Sequence, residues 1–466
     1  MGKFLRLIKN EYIKIFKKVS TWVILALLAV CAVGYPFMAK FIEWQMSQYG
    51  NSRSNYTILD DYKDDIERLK DVKTEGWEQE VERLQYFIDN KLTDGWKWEA
   101  ASNMFEIKND DGTAYSLDES QKSKVVSDYE NEIKNSDWKG YLQTTRDLLD
   151  YDLSIANDTE KASWQELYKY LIDNEIEPNE DNWQYNVANQ LCGTKINLAE
   201  MDASKAAGEG IDTNEYSKHM NNKLLYEYRL ANNVEYDISE HENLDDANDF
   251  DFWAVFTSTG SLVSLIGLIT IIIAGGIVSS EFSQGTIKFL LINPVKRWKI
   301  LMSKYATSIS LGYALIAVLY IISCLMSMII FGASNLDASY LSVVDGAVKE
   351  LPGFIYMLKI YLLSSTSMVV MATLGFAISS LLRSSALAIG VSVMAMFGGN
   401  TILLIMQQLG LDWGRYLIFA NTNLASIMSG NSLFTGQTVT SALCVIGIHM
   451  VIFLLTAWDG FTRREV

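Results

Sequence analysis

The stretch "SSEFSQGTIKFLLINPVKRWKILMSKY", residues 279–305, separates two long apolar runs, and its reading decides the fold. It opens on an acid, Glu281, and passes through Gly285 and Thr286 to an aliphatic patch of Ile287, Phe289, Leu290, Leu291 and Ile292. It then breaks at Asn293 and Pro294 and closes on Lys296, Arg297, Lys299 and Lys304. The segment is too charged to cross a hydrocarbon core and too apolar for an ordinary solvated loop. Its flanks decide what it joins.

Those flanks belong to a pattern that runs along the whole chain. Of 466 residues, 49% are apolar, and they are gathered into blocks instead of recurring at helical or strand period. Six blocks are long enough, at about 20 residues per span, to cross a bilayer: 21–42, 255–279, 305–332, 354–382, 386–408 and 439–458. The first is not a removable signal peptide, because it holds Pro36 and no small-residue cleavage site follows it. We therefore expect an all-α polytopic membrane protein with six transmembrane helices.

Lysine and arginine in the short connecting segments set the expected orientation, since cytoplasmic loops carry the excess. Lys3, Arg6, Lys9, Lys14, Lys17 and Lys18 precede the first block, Lys288 joins the four basic residues of the opening stretch, Arg383 follows the fourth block, and Arg463 and Arg464 end the chain. The opposite short loops hold Lys349 and Arg415. Both termini and the opening stretch are thus expected to be cytoplasmic, in a multi-pass protein of the cell membrane.

Four regions follow. Residues 1–20 read as an interfacial helix, because Phe4, Leu5, Ile8, Tyr12, Ile15 and Phe16 form one apolar stripe at 100° per residue with lysines opposite. Residues 21–42 are the first span. Residues 43–252 form an insert, placed outside the cell by the orientation, and residues 253–466 carry spans 2–6 with the loop 280–304. The insert holds 48 acids and 21 bases, a charge of −27, against +10 for the rest, which disfavours nucleic acid and anionic headgroups as its partners. Helix-period runs and a single proline, Pro178, make it mostly helical, with Trp77, Trp96, Trp98, Trp138, Trp164 and Trp183 available for its core. "QYFIDN" and "KYLIDN" within it form a faint echo, which two helices ending near Asn explain as well as a repeat does. Of four cysteines, only Cys192 lies in the insert, so no disulfide can form inside it.

Catalytic signatures are missing. There is no GxxxxGK[ST] phosphate loop, no HExxH and no Cys or His pair at metal spacing, and His219, His241 and His449 stand far apart in sequence. We expect no enzyme, no cofactor and no metal site in this chain. Ionisable residues approach the spans only at Lys40, Lys359 and His449, the two lysines where they can snorkel, which argues against a proton or ion pathway. The loop, with its apolar patch between an acidic and a basic end, suits docking onto another protein. Glu281 fits the positive end of a short helix, a contribution of about 0.3–1 kcal/mol, and Asn293 with Pro294 can start the next.

The same residues resemble the loop between the second and third spans of ABC type-2 exporter permeases. In that family it reads as Glu, a Gly-Thr pair, two leucines, Pro, Arg, then Lys at the next span, positions held here by Glu281, Gly285, Thr286, Leu290, Leu291, Pro294, Arg297 and Lys304. "LIKNEYIKIFKKVSTWVILALL" is similar to the family's amphipathic helix and first span, "LGFAISSLLRSSALAIGVS" to its fourth-to-fifth span turn, and "YEYRLANN" to the helix before its second span. A large insert after span 1 resembles permeases of bacitracin and lantibiotic export and immunity in Gram-positive bacteria. The resemblance implies one half of a permease dimer, of identical or different chains, with separate ABC ATPase subunits docked on the cytoplasmic loop and supplying ATP and Mg. It implies export of an amphiphilic or apolar substrate such as an antimicrobial peptide. Alternatives are a sodium or drug efflux permease, or a sensor that captures a ligand with the insert.

Overall fold

A computed structural model describes residues 2–51, 58–155, 157–241, 250–286, 295–344, 346–382, 384–428, 432–434 and 436–462. Phe289, Leu290, Leu291 and Pro294 of the expected docking loop lie outside these residues. Among the described residues, six helical stretches are long and apolar enough to cross a membrane: Val19–Ser47, Phe252–Ser283, Arg297–Phe331, Gly353–Leu382, Ser385–Gln408 and Val439–Thr462. Each coincides with one apolar block, extended at most ends by more polar residues that continue the helix. We call them spans 1–6. Span 1 lies in helix α2, Val19–Asn51, and is preceded by helix α1, Gly2–Phe16.

The chain divides into two units. The first comprises residues 1–46, 238–338 and 351–466, and the second residues 47–237 together with 339–350.

In the first unit, spans 2 and 4 form the central pair, and small residues let the helices close on each other. A Cβ on Gly312 of span 3 would stand 2.9 Å from Thr270 Oγ1 of span 2 and 2.6 Å from Met368 Sδ of span 4. Gly275 of span 2 meets the backbone of Ile389 in span 5 in the same way, at 3.3 Å. One end of this bundle is aromatic. Phe252, Trp253 and Phe256 are fully buried against Phe354, Tyr320 and Tyr361, and Trp253 Nε1 donates to the Asn335 carbonyl at 2.6 Å. Gly353 is required there, because a Cβ would lie 2.4 Å from the Trp253 ring.

The second unit is mostly helical: α3 (Ile58–Val72), α4 (Trp77–Asn90), α5 (Gly95–Asn109), α6 (Glu119–Asn135), α7 (Trp138–Leu148), α8 (Asp158–Asp173), α9 (Trp183–Ala206) and α10 (Thr213–Asn232). Asp118, Asp137, Asn157, Asn182 and Asp212 accept bonds from first-turn amides, so the acidic and amide residues start the helices. Its core holds Phe87, Trp96, Met104, Phe105, Tyr129, Tyr141 and Leu171, with Trp98, Trp138 and Trp164 packed around it. Trp77 and Trp183 instead begin α4 and α9 and are only half-buried. Asn90 and Asn174 each donate to a tyrosine carbonyl four residues earlier at 2.9 Å, so the echo marks two helix ends.

One feature departs from the expected organisation. The connection between spans 3 and 4 is a β-hairpin, β1 (Ser339–Val344) and β2 (Ala347–Pro352), and it belongs to the second unit. The Asp237 carboxylate accepts from Leu341 N at 3.1 Å, and Tyr228 donates to Glu350 at 2.9 Å. Neither six-residue strand alternates apolar and polar residues clearly, so nothing marks the hairpin in the sequence beside the long apolar blocks. The "YEYRLANN" segment is helical as expected, and buried Arg229 donates to the carbonyls of Val234 and Glu235 at 3.2 and 2.8 Å, closing the C-terminus of α10.

Glu132 on α6 makes the second unit pH-sensitive. It accepts from Thr144 Oγ1 at 2.6 Å, while its other carboxylate oxygen is buried without a partner. Burial, helped by the charges of Asp128 and Asp137, pushes its pKa up to about 7. The folded state therefore holds this proton more tightly than the unfolded chain does. Stability from it is complete below the ordinary carboxylate range and is lost as pH rises through about 7. Amide protection in α6 and α7, corrected for intrinsic exchange, should fall from pH 5 to pH 8 by on the order of 1 kcal/mol, and Glu132→Gln should flatten that slope.

Candidate functional site

At one end of the first unit, four charged side chains from three elements meet. Lys304, near the start of span 3, is completely buried; its Nζ donates to Glu11 Oε2 of α1 and to Glu281 Oε1 of span 2, both at 2.9 Å. Lys14, one turn after Glu11, donates to Glu281 Oε1 at 2.8 Å and to Glu11 Oε1 at 3.2 Å. Thr286 donates to the second oxygen of Glu281. Two carboxylates and two ammonium groups thus form a closed, neutral ring. Burial works against the charge of half-exposed Lys14, but its bond to Glu281 and the charges of both acids hold its pKa above the ordinary lysine value.

The local reasons are plain in the sequence. Glu11 and Lys14 are three apart on one face of α1, with Ile15 and Tyr12 next to Glu11 on its apolar side. That helix packs along span 3, where Tyr12 OH bonds to Ser310 Oγ at 2.8 Å and Ile15 is buried. Phe4, Ile8 and Phe16 are half-buried and Leu5 is exposed, so only part of the apolar stripe is left for lipid. Beyond Glu281 the chain turns at Gly285, whose φ of +69° favours glycine.

Other bonds gather the remaining spans at the same end. Ser279, also fully buried, donates its amide to Ser379 Oγ at 3.1 Å and bonds Ser385 Oγ at 2.6 Å, tying span 2 to the turn between spans 4 and 5. Phe282 faces Phe461 of span 6 edge to face, and Arg297 Nη1 reaches the Thr462 carbonyl at 3.4 Å.

Two expectations are corrected here. Among the described residues, the buried charged side chains within the spans are Glu281 and Lys304, neither of which stood among the ionisable residues expected to approach them. Of those that did, Lys40 pairs with Glu43 at 2.7 Å, Lys359 is exposed, and His449 Nδ1 lies 2.9 Å from the Val445 carbonyl. Glu281 is also more than a charge at a helix start: it is the acceptor of three side chains. The sequence reading passed over Glu11 altogether and counted Lys14 only as a cytoplasmic charge. An acid at i paired with a lysine at i+3, on the basic side of an amphipathic helix, was the available signal.

Comparison with known proteins places this end of the molecule in a wider group. The family described as "Protein of unknown function (DUF2705)" matches residues 219–466, more than half of the chain. The chain belongs to this family. Two Bacillus subtilis (strain 168) proteins are similar: "Uncharacterized protein YhcI", 35% identical over 244 residues that make up 52% of this chain and 74% of that protein, and "Uncharacterized membrane protein YdbK", 34% identical over 221 residues, 47% and 85% of the two chains. No solved structure matches. Together with the six apolar helices, the second relative supports a membrane location for this chain. The matched segment contains Glu281, Thr286 and Lys304, whereas Glu11 and Lys14 precede it.

Charge burial of this kind contributes little net stability but punishes the loss of one partner, by about 3–5 kcal/mol. Lys304→Ala should lower the thermal unfolding midpoint of the detergent-solubilised chain strongly, while Lys14→Ala, at a half-exposed position, should cost no more than about 1 kcal/mol. A double-mutant cycle should return a larger coupling for Lys304 with Glu11 than for Lys14 with Glu11.

Proposed function

We propose that this chain is the membrane-spanning subunit of an ATP-driven exporter, with hydrolysis in a separate ATPase that docks on the loop between spans 2 and 3. The observation that carries the reading is the neutral ring of Glu11, Lys14, Glu281 and Lys304 at the base of that loop. A loop that receives force from a partner needs a stiff mount. Here both of its ends are held: Glu281 and Thr286 on the side of span 2, Lys304 and Arg297 on the side of span 3. Displacing the loop would move α1 and spans 2 and 3 together, because breaking the ring leaves buried charges unpaired.

An amphiphilic or apolar substrate, such as an antimicrobial peptide, suits the spans better than an ion does. Away from the ring, the buried polar side chains of the spans among the described residues are hydroxyls such as Thr270, which bonds the Ile266 carbonyl, and Thr259, bonded to Tyr361 at 2.8 Å. Dimerisation with a second permease chain would complete the pathway, and the acidic second unit would face outward by the charge rule.

Purification from native membranes in mild detergent should bring down an ATPase, and the isolated chain should hydrolyse no ATP. Leu290→Asp, placing a charge in the docking patch, should leave membrane insertion intact and reduce ATPase recovery at least tenfold. Unchanged ATPase recovery and vanadate-sensitive transport in that variant would overturn the reading.

A further inference from the structure

A cavity of about 540 Å³ opens beside the ring, between α1, the elbow that joins it to span 1, and the end of span 2. Its carboxylates are already engaged: Glu11 and Glu281 are held by Lys304 and Lys14. What remains on its wall is donors. Lys17 and Lys18 occupy the two-residue elbow, are exposed, and have no ion-pair partner among the described residues. Ser280 and Gln284, four apart on one face, add a hydroxyl and an amide whose side chains make no hydrogen bond there. Ile15 and Ile277 supply an apolar wall.

We propose that this cavity binds a phosphate ester anion, supplied by the headgroup of an anionic phospholipid. Two cations and two neutral donors converging on one space match a group with several acceptor oxygens and a single negative charge. Placement favours a lipid source. An amphipathic helix turns into a span at Lys17 and Lys18, the depth at which headgroups lie, and Ile15 and Ile277 can cover the glycerol and first acyl carbons. The neutral ring leaves the net charge of the wall positive, so the anion needs no compensating proton. Binding here requires no ATPase and stands apart from the export reading.

The test uses the full chain in phosphatidylcholine nanodiscs with graded phosphatidylglycerol, and native mass spectrometry to count the lipids retained per chain. Phosphatidylglycerol should be retained in preference to phosphatidylcholine, and Lys17→Gln with Lys18→Gln should weaken retention about 25-fold, from roughly fivefold for each basic residue near an anionic surface. Arg6→Gln with Lys9→Gln removes the same charge from the adjoining helix α1, outside the cavity, and should change retention less than about threefold. If inorganic phosphate alone raises the unfolding midpoint in pure phosphatidylcholine discs, in the wild type and not in the Lys17/Lys18 variant, the same anion site takes its ligand from solution. Equal losses in the two double variants would show a diffuse surface field and overturn the proposal. So would the lack of any anion preference, or dependence of ATPase capture alone on Lys17 and Lys18.

Discussion

A lysine with no exposed surface must have its charge answered, and Lys304 is answered by Glu11 and Glu281. The cost of leaving any of the three unpaired in a low-dielectric interior fixes how α1 lies against span 3 and how span 2 ends beside it. Apolar contacts alone would not do this. Leucine and isoleucine faces tolerate sliding by a turn, whereas an ion pair at 2.9 Å has one register. The ring therefore acts less as a source of stability than as a determinant of position.

The two ends of the first unit solve the same problem with different chemistry. At the aromatic end, ring packing around Trp253, Phe256 and Tyr361 fills space, and single hydrogen bonds to Asn335 and Thr259 satisfy the polar tips. At the ionic end, charges and the serine contacts of Ser279 collect all the later spans around the loop. Between them, glycines 275 and 312 bring helix backbones close where lipid supplies no hydrophobic drive. The helices are thus held in register at both ends and packed closely between them.

The second unit follows the rules of a water-exposed helical domain. Acids and amides cap its helices, tyrosines and tryptophans fill its core, and its acid excess lies mostly on exposed positions. Glu132 is one exception, a buried carboxyl whose proton is part of the fold at mildly acidic pH. The hairpin between spans 3 and 4 joins this unit through Asp237 and Tyr228, so its residues are assembled from two distant parts of the chain.

The spans were legible from the sequence because a run of about 20 apolar residues has one common solution in a bilayer, and the helices of the insert because their caps and periods are local. Glu281, Thr286 and Lys304 stood out through a resemblance, but the reason they belong together did not. Glu11 is 293 positions from Lys304, and no local pattern shows that the Lys304 ammonium donates to the Glu11 carboxylate. The same holds for Asp237 and the hairpin, and for the cavity beside Lys17 and Lys18. Local sequence determines which segments are helical and which can enter a membrane, since those depend on neighbours a few residues apart. Which charges meet is decided only when distant helices pack, because burial is what turns a surface lysine into one that must find two acids.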